Sequence, residues 1–373
     1  MSAPPEFRAS KAMFGPQILV ASMVARDGGF KHGNLWQYHS RSDYHSKVAC
    51  WGLLFDLMRH CSLLRQQAAS GVVAYGLNHE MRDFKTGRKK NLDLVICRPR
   101  SESFSGQPGS YFADQAHDLG VILPDEVKLE LLDLPRLQEL PVGSVHIAVE
   151  AKACMTAFGK ARPRLYDELS SSHVAIHGNS PHAIAVALTM VNFAETFISP
   201  GRNDFAFSDR APVVTKHRQP ADAASVIAKI REIPRRSRDT EDGIDSLAIV
   251  GVSCRNDGSL VTLVTDPPGP QPGDIDHYEM TVHRLAQPYE ERFNNIPGRV
   301  ARQDRDRNDA PFRSHERARC GGETGNGLPE GRIPARQPHR CAPITSPLNV
   351  PCPTRKYSVE TFQVGPLLGV PFR

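Results

Sequence analysis

Residues 144–156 read SVHIAVEAKACMT, and how they are read decides the fold. Val145, Ile147, Val149 and Ala151 alternate with His146, Ala148, Glu150 and Lys152. Successive side chains of a β-strand leave on opposite faces, so Glu150 and Lys152 share one face while Ala151 shares the other with the apolar set. One face turns polar toward the end of the strand and the other stays apolar. A run otherwise built for burial thus ends in an acid and a lysine, which calls for a chemical reason.

The flanking segments supply the context. LDLVICRP, from Leu92, reads as a strand stopped by Pro99, with Leu92, Leu94 and Ile96 on one side and Asp93, Val95 and Cys97 on the other. Before it, VVAYGL (residues 72–77) reads as a strand, and residues 79–91 as a turn carrying a basic cluster. Earlier still, residues 42–71 repeat apolar side chains at helical spacing (Trp51, Leu54, Leu57 or Met58, Cys61, Leu64), with Ser42 or Asp43 as cap and Gly71 as stop. After the central strand a helix is expected from Pro163, then a buried strand over HAIAVALTMVNF. The order is helix, three strands, helix, strand. A further helix is expected at ADAASVIAKIREI, strands at SLAIVGVSC and LVTLVT, and a last helix near HYEMTVHRLAQPYEERF.

Two acids and a lysine can meet where neighbouring strands diverge. Mg²⁺ takes oxygen ligands and keeps several waters, so two carboxylates plus phosphate oxygens of a substrate suffice to hold it. A lysine beside them can orient or help deprotonate an attacking water and stabilise developing charge. That is the chemistry of phosphodiester hydrolysis.

With LDLVI on the second strand, VEAK on the third and this element order, the chain resembles the PD-(D/E)XK, or restriction-endonuclease-like, nuclease superfamily over roughly residues 40–195. The resemblance implies an α/β fold with a mixed central sheet. It also implies Asp93 and Glu150 as ligands of Mg²⁺, which Mn²⁺ can replace, and Lys152 acting on the nucleophile. Leu92 stands where the motif often has proline, and the Asp93 to Glu150 spacing is wide. The activity implied is endonucleolytic hydrolysis of a nucleic-acid backbone, with double-stranded DNA as partner and a homodimer as a candidate assembly. The alternative is a nucleic-acid-binding or assembly protein that keeps the fold without turnover.

Asp125, in LPDEVKLELLDL, is a rival for the first acid, with Glu126 and Lys128 forming a second E-x-K. Proline, two acids and then spaced leucines are how an exposed helix begins, so this segment reads as a helix N-terminus. Candidate accessory residues are Glu80, His45 and Asp56, each of which also has an ordinary helix or turn explanation. Lys85, Arg88, Lys89 and Lys90, just before Asp93, can hold a phosphate backbone, as can Arg162, Arg164 and Tyr166 after the E-x-K strand. A solvated turn and a decorated outer helix face are their bland readings.

Composition bounds the rest. The 373 residues suffice for a sizeable core, and no apolar stretch reaches the roughly 20 residues of a membrane span. MFGPQILVASMVA has an apolar middle but contains Pro16 and lacks a convincing cleavage site, and eight scattered cysteines without a CxxC pair favour a reducing, cytoplasmic setting. From Pro297 onward there are 13 Lys+Arg against 7 Asp+Glu, so the overall charge of +5 belongs to the tail. That tail is rich in Arg, Pro and Gly and poor in aliphatic residues, as in a disordered segment or an altered reading frame. The expected organisation is an N-terminal arm (1–41), a nuclease-like core (42–200) with an insertion (100–143), a C-terminal α/β extension (201–296) and a low-complexity tail (297–373).

Overall fold

The apolar run near the N-terminus coils into helix α1 (Gly15–Ser22), which packs along α2 (Tyr44–His60) instead of standing apart as an arm. The computed structural model describes residues 12–83, 87, 89–100 and 109–295. Ile18 and Leu19 of α1 are buried in the same apolar cluster as Leu53, Leu54 and Leu57 of α2. The two helices meet at glycines: a Cβ on Gly52 would lie 2.8 Å from the Gly15 Cα. Gly52→Ala is therefore expected to cost about 1–3 kcal/mol by overpacking, read as a lower urea midpoint.

The single helix expected over 42–71 is two. Cys61 takes an extended conformation that ends α2, and its sulfur accepts from the Leu64 N–H at 3.4 Å to start α3 (Ser62–Ala69). There follow β1 (Ala74–Arg82), β2 (Lys89–Pro99), α4 (Phe112–Asp118), α5 (Asp125–Leu132), β3 (Val142–Cys154), α6 (Phe158–Asn179) and β4 (Ile184–Asn192). The segment expected as a basic turn is thus partly strand, since β1 and β2 run on to Arg82 and back from Lys89. β5 (Thr196–Ile198) and β6 (Val214–Lys216) pair with each other, and α7 (Ala221–Arg231), β7 (Ser246–Ser253), β8 (Thr262–Val264) and α8 (Tyr278–Phe293) complete the order.

Six strands form one mixed sheet in the order β1-β2-β3-β4-β7-β8. β1, β2 and β3 are antiparallel neighbours, β3, β4 and β7 are parallel, and β8 returns antiparallel. The architecture is α/β, with α1, α2 and α8 on one face of the sheet and α6 and α7 on the other. Residues 201–295 add to the same sheet and helical layers: β7 pairs with β4, and α8 packs on β7 and α2. The tail from 297 lies outside the described residues.

Two local expectations are corrected. α6 starts at Phe158, five residues before Pro163, because Ala157 adopts a left-handed conformation (φ 53°) that turns the chain directly from strand to helix. Leu92 packs in the cluster of Val95 and Cys97, on the α6 side, and not with Leu94 and Ile96. The β1–β2 register is continuous here, but the Asn78–Asp93 pair is missing from it and Asn78 has φ 47°.

At the far end of the sheet Asp245 ties three segments together. Its carboxylate lies 3.0 Å from Arg236 Nε and 2.9 Å from Arg292 Nη2, and it accepts from the Ala185 N–H at 2.8 Å. Burial alone would raise its pKa, but His177, the Ala185 N–H and the Arg236 guanidinium hold it at about 2. A carboxyl depressed on folding contributes stability above its unfolded value that is lost as pH falls through the folded one. About 2 kcal/mol should therefore vanish between pH 3.8 and about 2. Asp245→Asn should flatten this part of the stability profile, and an unchanged slope in acid-urea titrations would refute the assignment.

A candidate active site where two strands part

β2 pairs with β3 only as far as Leu94↔Val149, whereas β3 and β4 stay paired to Cys154↔Val191. One edge of β3 is therefore free from Glu150 onward. Asp93, the first residue beyond the last pair, spans the gap: its Oδ2 accepts from the Ala151 N–H at 2.8 Å. This bond holds its carboxylate between Glu150 and Lys152 in sequence, at the point where the strands separate.

Glu150 is 1 % exposed. Its Oε1 lies 2.6 Å from Lys152 Nζ and 3.2 Å from Lys90 Nζ, while Oε2 is buried with no hydrogen-bond partner among the described residues. Burial pushes the Glu150 carboxyl above its ordinary value, against the pull of Lys152 and Lys90. For Lys152 burial acts in the opposite sense but is outweighed by Glu150, Asp93 and Glu168, so its ammonium is held protonated. Glu168 of α6 lies 3.9 Å from Lys152 Nζ and accepts from Arg164 Nε at 2.6 Å.

These groups open on a cleft of about 410 Å³ between the 38–46 segment and α6. Arg41, Asp43, Asp93, Lys152, Arg164 and Glu168 line it, and Glu150, which is not part of the lining, pairs with Lys152. His45 lines the opposite wall, buried, with Nε2 2.6 Å from the Gln37 carbonyl oxygen. Burial pushes its pKa down to about 4, so the ring is neutral at pH 7.

The other sequence candidates divide. Lys90 turns inward to Glu150 and donates to the Glu168 carbonyl at 3.3 Å. Lys89 pairs with Glu80 at 2.8 Å across the hairpin, away from the cleft. Asp56 is fully buried and serves the packing of α1, accepting from the Phe14 and Gly15 N–H groups and the Tyr278 hydroxyl. Tyr166 packs under Lys229, 4.4 Å from ring centroid to Nζ, on the side of α7, and Arg162 is solvent-exposed. Lys85 and Arg88 lie outside the described residues. Asp125 begins α5, exposed and paired with Lys128 at 2.8 Å, and lies away from the E-x-K strand.

The cleft residues not singled out from sequence as site residues include Glu168, Tyr38, Arg41 and Asp43. A signal existed only for Glu168, which sits four residues after Arg164 on a helix whose Leu165 and Leu169 face the core.

Among the described residues no group of three His, Cys, Asp or Glu side chains forms a ready-made metal cage. Asp93 and Glu150 nonetheless fit a cation of the Mg²⁺ type, which needs few protein oxygens and retains waters. The buried, unpartnered Oε2 of Glu150 is an acceptor of the required kind. Comparison of the chain with protein-family models, curated proteins and solved structures finds no match. No helix among the described residues is long and apolar enough to cross a membrane.

Proposed function

We propose that this chain is a metal-dependent nuclease of the PD-(D/E)XK type, hydrolysing phosphodiester bonds of DNA. The observation that carries the reading is the Asp93 carboxylate fixed to the Ala151 N–H, beside the Glu150–Lys152 pair, where β2 and β3 separate into a cleft. Asp93 and Glu150 would hold Mg²⁺, which when bound supplies Lewis-acid polarisation of the phosphate and a more acidic water.

The remaining work falls to the chain itself. The Lys152 ammonium directs hydrogen bonds toward the attacked phosphate and its water, and is held there by Glu150 and Glu168. Arg164 and Arg41, on the cleft walls, supply positive charge for the flanking phosphates. Glu168 fixes Arg164 by an i,i+4 contact on α6.

The test is cleavage of supercoiled and linear DNA with Mg²⁺, Mn²⁺ or EDTA. Metal-dependent cutting that disappears in both Glu150→Ala and Lys152→Ala supports the reading, and cutting that survives both rejects this site. One observation favours a second reading: Glu150 is almost fully buried and held by two lysines, as in a structural ion pair. DNA bound but never cut would favour a non-catalytic nucleic-acid-binding or assembly protein.

A further inference from the structure

Glu150 carries two lysines on one oxygen. Its Oε1 lies 2.6 Å from Lys152 Nζ and 3.2 Å from Lys90 Nζ, while Oε2 has no partner among the described residues. The two ammoniums reach it from different elements, Lys152 from β3 and Lys90 from β2 opposite Met81. Only one of them lines the cleft. Lys152 does so, 3.9 Å from the Glu168 carboxylate, whereas Lys90 stands outside the lining and donates to the Glu168 backbone carbonyl at 3.3 Å. Lys90 thus joins β2, β3 and α6 at one nitrogen.

The difference matters for the proposed reaction. A phosphate entering the cleft competes with Glu150 for Lys152, because an ammonium has three donors and a single charge. Glu150 then loses part of its counter-charge although it is almost fully buried, and an uncompensated buried carboxylate is strongly disfavoured. Lys90 is not drawn off in the same way, being outside the lining and tied to α6 through the Glu168 carbonyl. Its contact with Oε1 also fixes which oxygen is occupied and leaves Oε2 as the open acceptor.

We propose that Lys90 is a positioning residue of this site: it holds Oε1 of Glu150 while Lys152 turns to the phosphate, and so supports cutting without touching the substrate. The proposal rests on the nuclease reading. The same charge opposes a metal, since an ammonium beside a ligand carboxylate repels a cation. Removing it should therefore slow cutting and yet tighten metal binding, whereas mere loss of packing would weaken both.

Three variants of the full chain make the test. Lys90→Met keeps the apolar stem without the charge, Lys90→Gln keeps a donor for the Glu168 carbonyl, and Lys90→Arg keeps the charge. Each is measured by Mn²⁺ binding without nucleic acid, read by electron paramagnetic resonance, by single-turnover cutting of DNA at saturating Mg²⁺, and by thermal melting. The half-saturating Mg²⁺ concentration for cutting gives the same ordering where Mn²⁺ alone binds too weakly to read. Lys90→Met and Lys90→Gln are expected to cut about tenfold more slowly than wild type. They should bind the metal about threefold or more tightly, with Lys90→Arg close to wild type in both respects. Lys90→Gln decides if Lys90→Met unfolds, and unfolding of both makes Lys90 a structural residue and overturns the proposal. Wild-type cutting by the uncharged variants, a parallel loss of cutting and metal binding, or a Lys90→Arg protein as slow as Lys90→Met also overturns it. Each of these leaves the nuclease reading standing, provided that metal-dependent cutting is still lost in Lys152→Ala. A wild-type chain that cuts no DNA under any metal removes that reading and this proposal together.

Discussion

Lys152→Ala is expected to lower metal-dependent cleavage by about 10²–10³-fold, the usual effect of removing one preorganised donor from a charge-stabilising site. The structural cost should be small. The Lys152 side chain is 28 % exposed, and its loss still leaves Lys90 at 3.2 Å from Glu150 Oε1, so the buried carboxylate keeps a counter-charge. Glu150→Ala should abolish cutting too, but it leaves two lysines facing an apolar gap and should also lower the melting temperature. Glu150→Gln keeps the volume and one acceptor oxygen, which separates loss of charge from loss of packing. Single-turnover rates measured beside thermal melts make the comparison. If Lys152→Ala cuts within a few-fold of wild type, Lys152 is a partner of Glu150 and nothing more.

Much of this site was legible because it depends on strand parity and element order alone. Glu150 and Lys152 share a face in any strand that includes both, and Asp93 needed only a strand beside them. Other features depend on contacts between distant segments. The apolar run that becomes α1 is buried because Gly15 meets Gly52 and because Asp56 and Tyr278 wait at its start. No local pattern announces that. Leu92 joins the cluster on the α6 side next to the missing Asn78–Asp93 pair, where Asn78 has a positive φ that its residue type tolerates without requiring it. Pro163 is a good first-turn residue, so the helix was expected to begin there, yet Ala157 turns the chain earlier. The cleft draws on residues between Leu19 and Val250, which meet only once β7 joins the sheet.

Asp56→Ala is the second large effect, and it acts on stability. The carboxylate accepts from the Gly15 N–H at 2.7 Å, from the Phe14 N–H at 3.1 Å and from the Tyr278 hydroxyl at 3.0 Å, and it pairs with Arg59 Nη1 at 3.2 Å. It thus supplies the N-terminal cap that α1 lacks from its own residues, and does so from α2 while also binding the first residue of α8. Burial raises the Asp56 pKa against these hydrogen bonds and Arg59, so the charge itself is held at a cost. Removing it nevertheless strands two backbone donors, a tyrosine hydroxyl and part of a guanidinium in a site without water access, since Asp56 is 0 % exposed. Arg59 retains Glu130, which limits the damage on that side. Truncating one member of such a buried network costs about 3–5 kcal/mol, whereas Asp56→Asn, which keeps one acceptor oxygen, should cost about 1–3 kcal/mol. Urea unfolding of both variants orders them. A loss below about 1 kcal/mol for Asp56→Ala would mean that α1 is held by apolar packing alone. A loss of the expected size would identify the Asp56 cap as the fastening that keeps α1 and its Leu19 over the inner end of the cleft.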